Sequence, residues 1–252
     1  MIIKYDEMAP RTGWSHRYEM PYERTNLDHL DYNISTADVV WREPHQHHEM
    51  EEYWFILSGS MRVYQGDQVT KACADTLIVH ERDVWHRAEC DDRCEWLCLS
   101  FSPRFAPRMR QLMEERGSYG NDEGAPRPAN RTILTPADLP PMEDHGCQRF
   151  PTERRLRDID HWDINTWKPY REWRDGHQHD DMEEYWYIAE GSARVYQGKV
   201  LTRVGPHDLI IHPPGVVHRM ETDAERCKWY CIMFNSWLAG PLKGLLAPAG
   251  PE

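Results

Sequence analysis

PHQHHEMEEYWFILSG, residues 44–59, recurs as GHQHDDMEEYWYIAEG, residues 176–191. The second copy lies 132 residues after the first, and the shift holds from His45/His177 through Gly59/Gly191 to His86/His218. Between 45 and 86, 22 of 42 positions are identical to their counterparts, with no gap. Upstream, LDHLDYN at Leu27 answers IDHWDIN at Ile159, and Trp41-Arg42 answers Trp173-Arg174. Downstream, after a one-residue insertion, CEWLCLSF at Cys94 answers CKWYCIMF at Cys227. A fixed period of this length marks a duplicated structural unit.

Each copy is written in strand language. EYWFILSGSMRVYQG and EYWYIAEGSARVYQG are two aromatic and β-branched runs broken at a Gly, which predicts a hairpin. DTLIVHERDVWH and HDLIIHPPGVVH predict a short strand followed by a turn. CEWLCLSF and CKWYCIMF are apolar at successive positions, so both faces of that strand should be buried. Many short strands with closely spaced turns predict an all-β sandwich or barrel. Residues 113–148 are Gly- and Pro-rich in part and read as a linker, preceded by a short helix that ends near Gly117. The expected domains are therefore 1–112, a linker at 113–148, and 149–252.

His45 and His47 stand two apart, so on a strand their imidazoles share one side. Glu52 and His86 complete a set of three imidazoles and one carboxylate. His177, His179, Glu184 and His218 repeat it with identical spacing. A sulfur-free set of this kind suits an open first-row divalent site more than structural zinc. Fe(II) or Mn(II) fits best, Ni, Co or Zn also suits, and up to two ions per chain are expected. Glu51 and Glu183 should turn to the opposite face. The Cys94-Trp96-Cys98 and Cys227-Trp229-Cys231 alternations read as core packing.

HxH, four residues, Glu, six residues, Gly, then a distant Pro-rich turn ending in His resembles the paired motifs of the cupin superfamily. The resemblance covers both repeats. It implies two tandem antiparallel β jelly-roll barrels, a bicupin, with a partly helical linker and a metal held inside each barrel by the matched His and Glu residues. Copy one departs from the pattern: HERDVWH carries Glu81-Arg82-Asp83 where HPPGVVH carries Pro-Pro-Gly. That turn is expected to be built differently, leaving copy two the better candidate for catalysis. Arg42 and Arg174, three residues before each HxH, are placed similarly to the Arg that binds the substrate carboxylate in oxalate decarboxylases, which are also bicupins. No counterpart of the lid and proton-donating Glu of those enzymes is apparent. Tyr64 and Tyr196 are further candidates for shaping a substrate pocket. His80 and His212, six residues before the last ligand, are candidates for proton transfer.

The bulk numbers narrow the classes. Net charge is −12, which argues against a nucleic-acid partner. No apolar run approaches the roughly 20 residues that cross a bilayer, and the first residues lack a signal-peptide pattern. Seven cysteines without a CxxC pair fit a reducing compartment, so a cytoplasmic location is expected. The expected function is that of a metal-dependent oxidoreductase, dioxygenase-like, acting on a small oxygenated molecule such as a carboxylate or enol. A Lewis-acid isomerase, lyase or decarboxylase is the alternative, and a non-catalytic small-molecule binder the third reading. The expected partner is a small, anionic substrate, with a homodimer compatible with the fold.

Overall fold

The computed structural model describes residues 1–8, 15–20, 27–37, 43–48, 50–101, 133–142, 146–152, 159–167, 176–179, 183–222 and 225–234. Arg42, Arg174 and the expected helix before Gly117 lie outside the described residues. Every described element longer than a 3-10 turn is a strand. No described helix is long and apolar enough to cross a membrane.

In the first unit, β2 (Ser15–Arg17), β3 (Leu27–Thr36), β8 (Arg93–Phe101), β4 (Glu52–Gln65), β6 (Leu77–His80) and β9 (Ile133–Leu134) follow one another across a sheet, and β5 (Gln68–Cys73) and β7 (His86–Glu89) join β4. In the second unit, β10 (Cys147–Arg149), β11 (Ile159–Trp167), β17 (Cys227–Phe234), β12 (Glu184–Glu190), β15 (Leu209–His212) and β1 (Ile2–Ile3) repeat that order. A second sheet there holds β14 (Val200–Val204), β13 (Ala193–Gln197) and β16 (His218–Thr222). All pairings are antiparallel. Each unit is a jelly-roll barrel.

The expected hairpin at the Ser-Gly-Ser break is instead a corner. Glu52–Gly59 of β4 pairs with β8, and Ser60–Gln65 pairs with β5, so one strand passes from sheet to sheet. Gly59 turns the corner at φ 77° beside a bulge, and Gly191 does so at φ 76° between β12 and β13. The hairpin proper comes later, around Gly66 and Gly198, at φ 55° and 59°. Bends and bulges are how strands change sheets in such folds.

Inside the first barrel, Trp54, Ile56, Met61, Val63, Ile78 and Trp96 form the core; their counterparts Trp186, Ile188, Ala193, Val195, Ile210 and Trp229 fill the second. The two units do not divide in chain order. Residues 1–8 group with 140–252, and residues 9–139 form the other unit. Ile2 and Ile3 pair with Ile210 and Leu209, while Ile133 and Leu134 pair with Ile78 and Leu77. Part of the stretch expected as linker, 113–148, is thus an edge strand followed by a 3-10 turn at Pro136–Asp138.

Candidate metal centre

The HxH segment and the last His meet because their backbones bridge. His45 and His86 exchange N–H···O bonds at 3.1 and 2.8 Å, and His177 and His218 at 3.0 and 2.8 Å. Glu52 and Glu184 begin the strands beside them. In each barrel the four donor groups lie within 4.8 Å of one another. Glu52 Oε2 is 3.0 Å from His86 Nε2 and 3.8 Å from His45 Nε2, and Glu52 Oε1 is 3.6 Å from His47 Nε2. Glu184 Oε2 is 2.7, 3.4 and 3.2 Å from the Nε2 atoms of His218, His177 and His179.

These distances fit a first-row divalent ion. Ligand bonds of about 2.0–2.2 Å place adjacent donor atoms roughly 3–3.5 Å apart. The tautomers fit too. His86 Nδ1 donates to the Val84 carbonyl at 2.8 Å and His218 Nδ1 to the Val216 carbonyl at 2.9 Å. Nε2 is then a lone pair aimed at a carboxylate oxygen, an arrangement that calls for a cation between them. Burial works against charge on Glu52 and Glu184, but the three imidazoles that face each carboxyl outweigh it and hold both well below the usual range.

Each Glu is anchored from behind. The Trp54 indole donates to Glu52 Oε2 at 2.9 Å and the Cys98 thiol to Oε1 at 3.1 Å. Trp186 and Cys231 both donate to Glu184 Oε1, at 2.7 and 2.8 Å. Burial and the adjacent carboxylate push both thiols well above their ordinary pKa, so they remain donors. The Cys-Trp-Cys alternation reads as packing, yet its last thiol performs this task; a period-2 cysteine on the strand beside the Glu was the signal.

The turn before the last ligand is built alike in both copies. Asp83 takes φ 64° where Gly215 takes 74°, and their N–H groups donate to the His47 and His179 carbonyls at 2.8 and 2.7 Å. The expected difference from Pro-Pro-Gly does not arise, because Asp tolerates the left-handed region and here also meets His48 Nδ1 at 2.6 Å.

His80 and His212 are buried and stack on His86 and His218 with ring centroids 4.0 Å apart. Burial, then the neighbouring imidazoles, pushes their pKa well down. Gln65 and Gln197 reach their Nδ1 atoms at 3.2 and 3.1 Å. His212 is absent from the lining of the cavity at the second centre. Tyr64 and Tyr196 are not brought to the ligands: their hydroxyls donate to Glu89 and Glu221 at 2.8 and 3.2 Å, under the guanidiniums of Arg87 and Arg219. Glu51 and Glu183 face away from the centre as expected, but buried, each accepting from the hydroxyl of Tyr53 or Tyr185.

The second centre opens into a cavity of about 400 Å³. Beside His177, His179 and Glu184 it is lined by Trp167, Trp186 and Trp229 and by a polar wall of Arg149, His161, Asp163 and Asn165. In the sequence, IDHWDIN at Ile159 reads only as part of the repeat. Its alternation, with His161, Asp163 and Asn165 on one face of β11, is the signal for that wall.

A family model described as a cupin domain matches the chain twice, over residues 39–100 and 169–233. Among curated proteins none matches. Among solved structures, the oxalate decarboxylase of Lactobacillus farciminis in its formate complex superposes with a TM-score of 0.71 at 16% identity, covering 100% of this chain and 94% of that one. The Bacillus subtilis oxalate decarboxylase at pH 4.6 gives 0.70 at 16% identity, over 93% of this chain and 76% of that one. A further structure of the Bacillus subtilis enzyme, from work on its Mn(II) centres, gives 0.67 at 16% identity, over 93% and 77%. With two matched regions, two jelly-roll barrels and a His/Glu constellation in each, this chain belongs to the cupin family as a bicupin.

Proposed function

We propose that the protein is a divalent-metal enzyme that transforms a small oxygenated organic molecule by Lewis-acid chemistry, as a decarboxylase, lyase or isomerase, with Mn(II) as the fitting ion. The observation that carries this is the assembly of three imidazole Nε2 atoms and one carboxylate in each barrel, the second set lining a cavity. The oxygen-consuming reading gives way because the superposing bicupins are oxalate decarboxylases, one of them studied for its Mn(II) centres.

His45, His47, Glu52 and His86 would hold one ion, and His177, His179, Glu184 and His218 the other. A bound divalent ion supplies polarisation of a substrate oxygen and charge for a developing enolate. The chain supplies the rest. Trp186 and Cys231 fix Glu184 so that one oxygen faces the imidazoles. His218 is held by the Val216 carbonyl and by the ring of His212. His161, on the cavity wall, is the imidazole placed to take or return a substrate proton. His80 and His212 position the ligand imidazoles from behind.

Elemental analysis of the purified protein should find about two first-row ions per chain, and about one in His86→Ala and in His218→Ala. No metal after reconstitution with Mn(II) or Fe(II) would sink the proposal. Stoichiometric oxygen uptake during turnover would return the dioxygenase reading.

A further inference from the structure

We infer that the cavity of the second barrel recognises a hydroxylated five- or six-carbon carboxylate, a sugar acid, with its oxygenated head at the metal centre and its hydroxylated chain along β11. The placement of the head rests on the metal reading above; the recognition of the chain does not.

The β11 wall beside the candidate ligands carries hydrogen-bonding capacity without net charge. Arg149 Nε and Nη2 pair with Asp163 Oδ1 and Oδ2, both at 2.7 Å. The guanidinium is therefore neutralised before any ligand arrives, and a second ligand carboxylate on this side would face that of Asp163. Asn165 supplies the independent observation. It is only 8% exposed and lines the cavity, yet among the described residues no hydrogen bond reaches its side chain. Its amide faces the cavity without a protein partner, and a bound group that both donates and accepts can take up the bonds that water otherwise fills. Its first-barrel counterpart, Asn33, instead donates to the Asp31 carbonyl at 3.4 Å.

A group that meets both the amide N–H and oxygen of Asn165 and the remaining lone pairs of Asp163 must donate and accept. The hydroxyl is the small group that does both. The indoles of Trp167 and Trp229, which line the same cavity, give apolar contact for the C–H groups of such a chain. Size agrees. At about 30 Å³ per water in the liquid, the cavity of about 400 Å³ takes on the order of a dozen heavy atoms. A two-carbon diacid has half that number.

The test compares D-gluconate, D-galactonate and D-xylonate with hexanoate, which keeps the carboxylate and loses the hydroxyls. Binding is read by calorimetry on the Mn(II)-reconstituted full chain, with metal content measured on the same samples. At least one sugar acid should bind about 10- to 100-fold tighter than hexanoate. Asn165→Leu should abolish that ratio with metal content unchanged. Asn165→Asp, which keeps the shape and loses the amide donor, should lower it likewise and guards against a folding defect. Hexanoate binding as tightly as all three sugar acids, or a ratio indifferent to both variants, overturns the inference. If the chain holds no metal yet keeps an Asn165-dependent ratio, the metal reading fails while this one stands.

Discussion

One oxygen of Glu184 faces three imidazoles, and the other is held by the Trp186 indole and the Cys231 thiol. A carboxylate that can rotate must be ordered at each binding event, whereas one already clamped meets the ion at no such cost. Removing a group that orients a metal ligand typically weakens metal binding 10- to 100-fold. Cys231→Val, close in size but without a donor, should therefore bind Mn(II) about 10-fold or more weakly in a chelator competition, and Cys231→Ser should recover much of the loss. Equal affinity of the valine variant and the parent would reduce Cys231 to packing. The candidate ligands are legible in the sequence because metal chemistry demands particular residue types at a particular spacing. The thiol is not, since cysteine beside tryptophan on a strand is usually core, and only the pairing of β12 with β17 reveals that it faces Glu184. Tyr196 was misleading for a related reason. Alternation places it outward, opposite in facing to Val195 and Gln197, and its ring lies under Arg219.

At the scale of an element, the decisive features are the corner and the ligand turn. Both barrels send one continuous aromatic run through a corner at a glycine with positive φ. The Ser-Gly-Ser and Glu-Gly-Ser breaks are visible in the sequence, but a bend that continues the strand and a turn that reverses it use the same residue type. The choice between them depends on pairing with β8 and β17, which no local pattern encodes. Gly191 has two reasons to be glycine. At φ 76° a side chain is strained, and a Cβ would collide with the Arg226 carbonyl across the ladder. The left-handed penalty alone is about 1–2 kcal/mol for an L residue, and the clash requires the strands to part. Gly191→Ala should therefore lower stability by more than about 2 kcal/mol in urea unfolding. Gly198→Ala, where positive φ at 59° comes with open space around the Cβ, should cost only the conformational part. Equal losses at the two positions would show that the collision is relieved by a small shift. The ligand turn teaches the converse: Asp83 and Gly215 are different residues in one conformation, so the missing Pro-Pro-Gly changes the sequence without moving His86.

At the scale of the whole molecule, the repeat is longer than its identities show. Residues 2–7 and 133–138 are both a two-residue strand followed by a 3-10 turn, at Tyr5–Glu7 and Pro136–Asp138, yet they share almost no sequence. A two-residue edge strand needs only apolar side chains toward the core, so little identity persists and the boundary is invisible in the chain. Each of these strands completes the sheet of the unit built mostly from the other copy. A cut in chain order should then fail where a cut by contact succeeds. The fragment 1–112 keeps all four candidate ligands of the first centre but lacks Ile133 and Leu134. Leu134 is 3% exposed, and Ile133 packs on the core of Trp54, Ile78 and Trp96. Losing that burial costs roughly 2–4 kcal/mol at 1.5–3 kcal/mol per fully buried aliphatic side chain, a large part of the 5–15 kcal/mol typical of a domain. It also leaves β6, which ends in His80 behind the candidate ligand His86, with an open edge. The fragment 9–139 retains the edge strand. It should show a cooperative thermal transition and bind about one Mn(II), whereas 1–112 should melt at lower temperature and bind more weakly. Identical melting and metal binding by the two fragments would mean that the edge strand contributes nothing to the first barrel and that the division at residue 112 is the physical one.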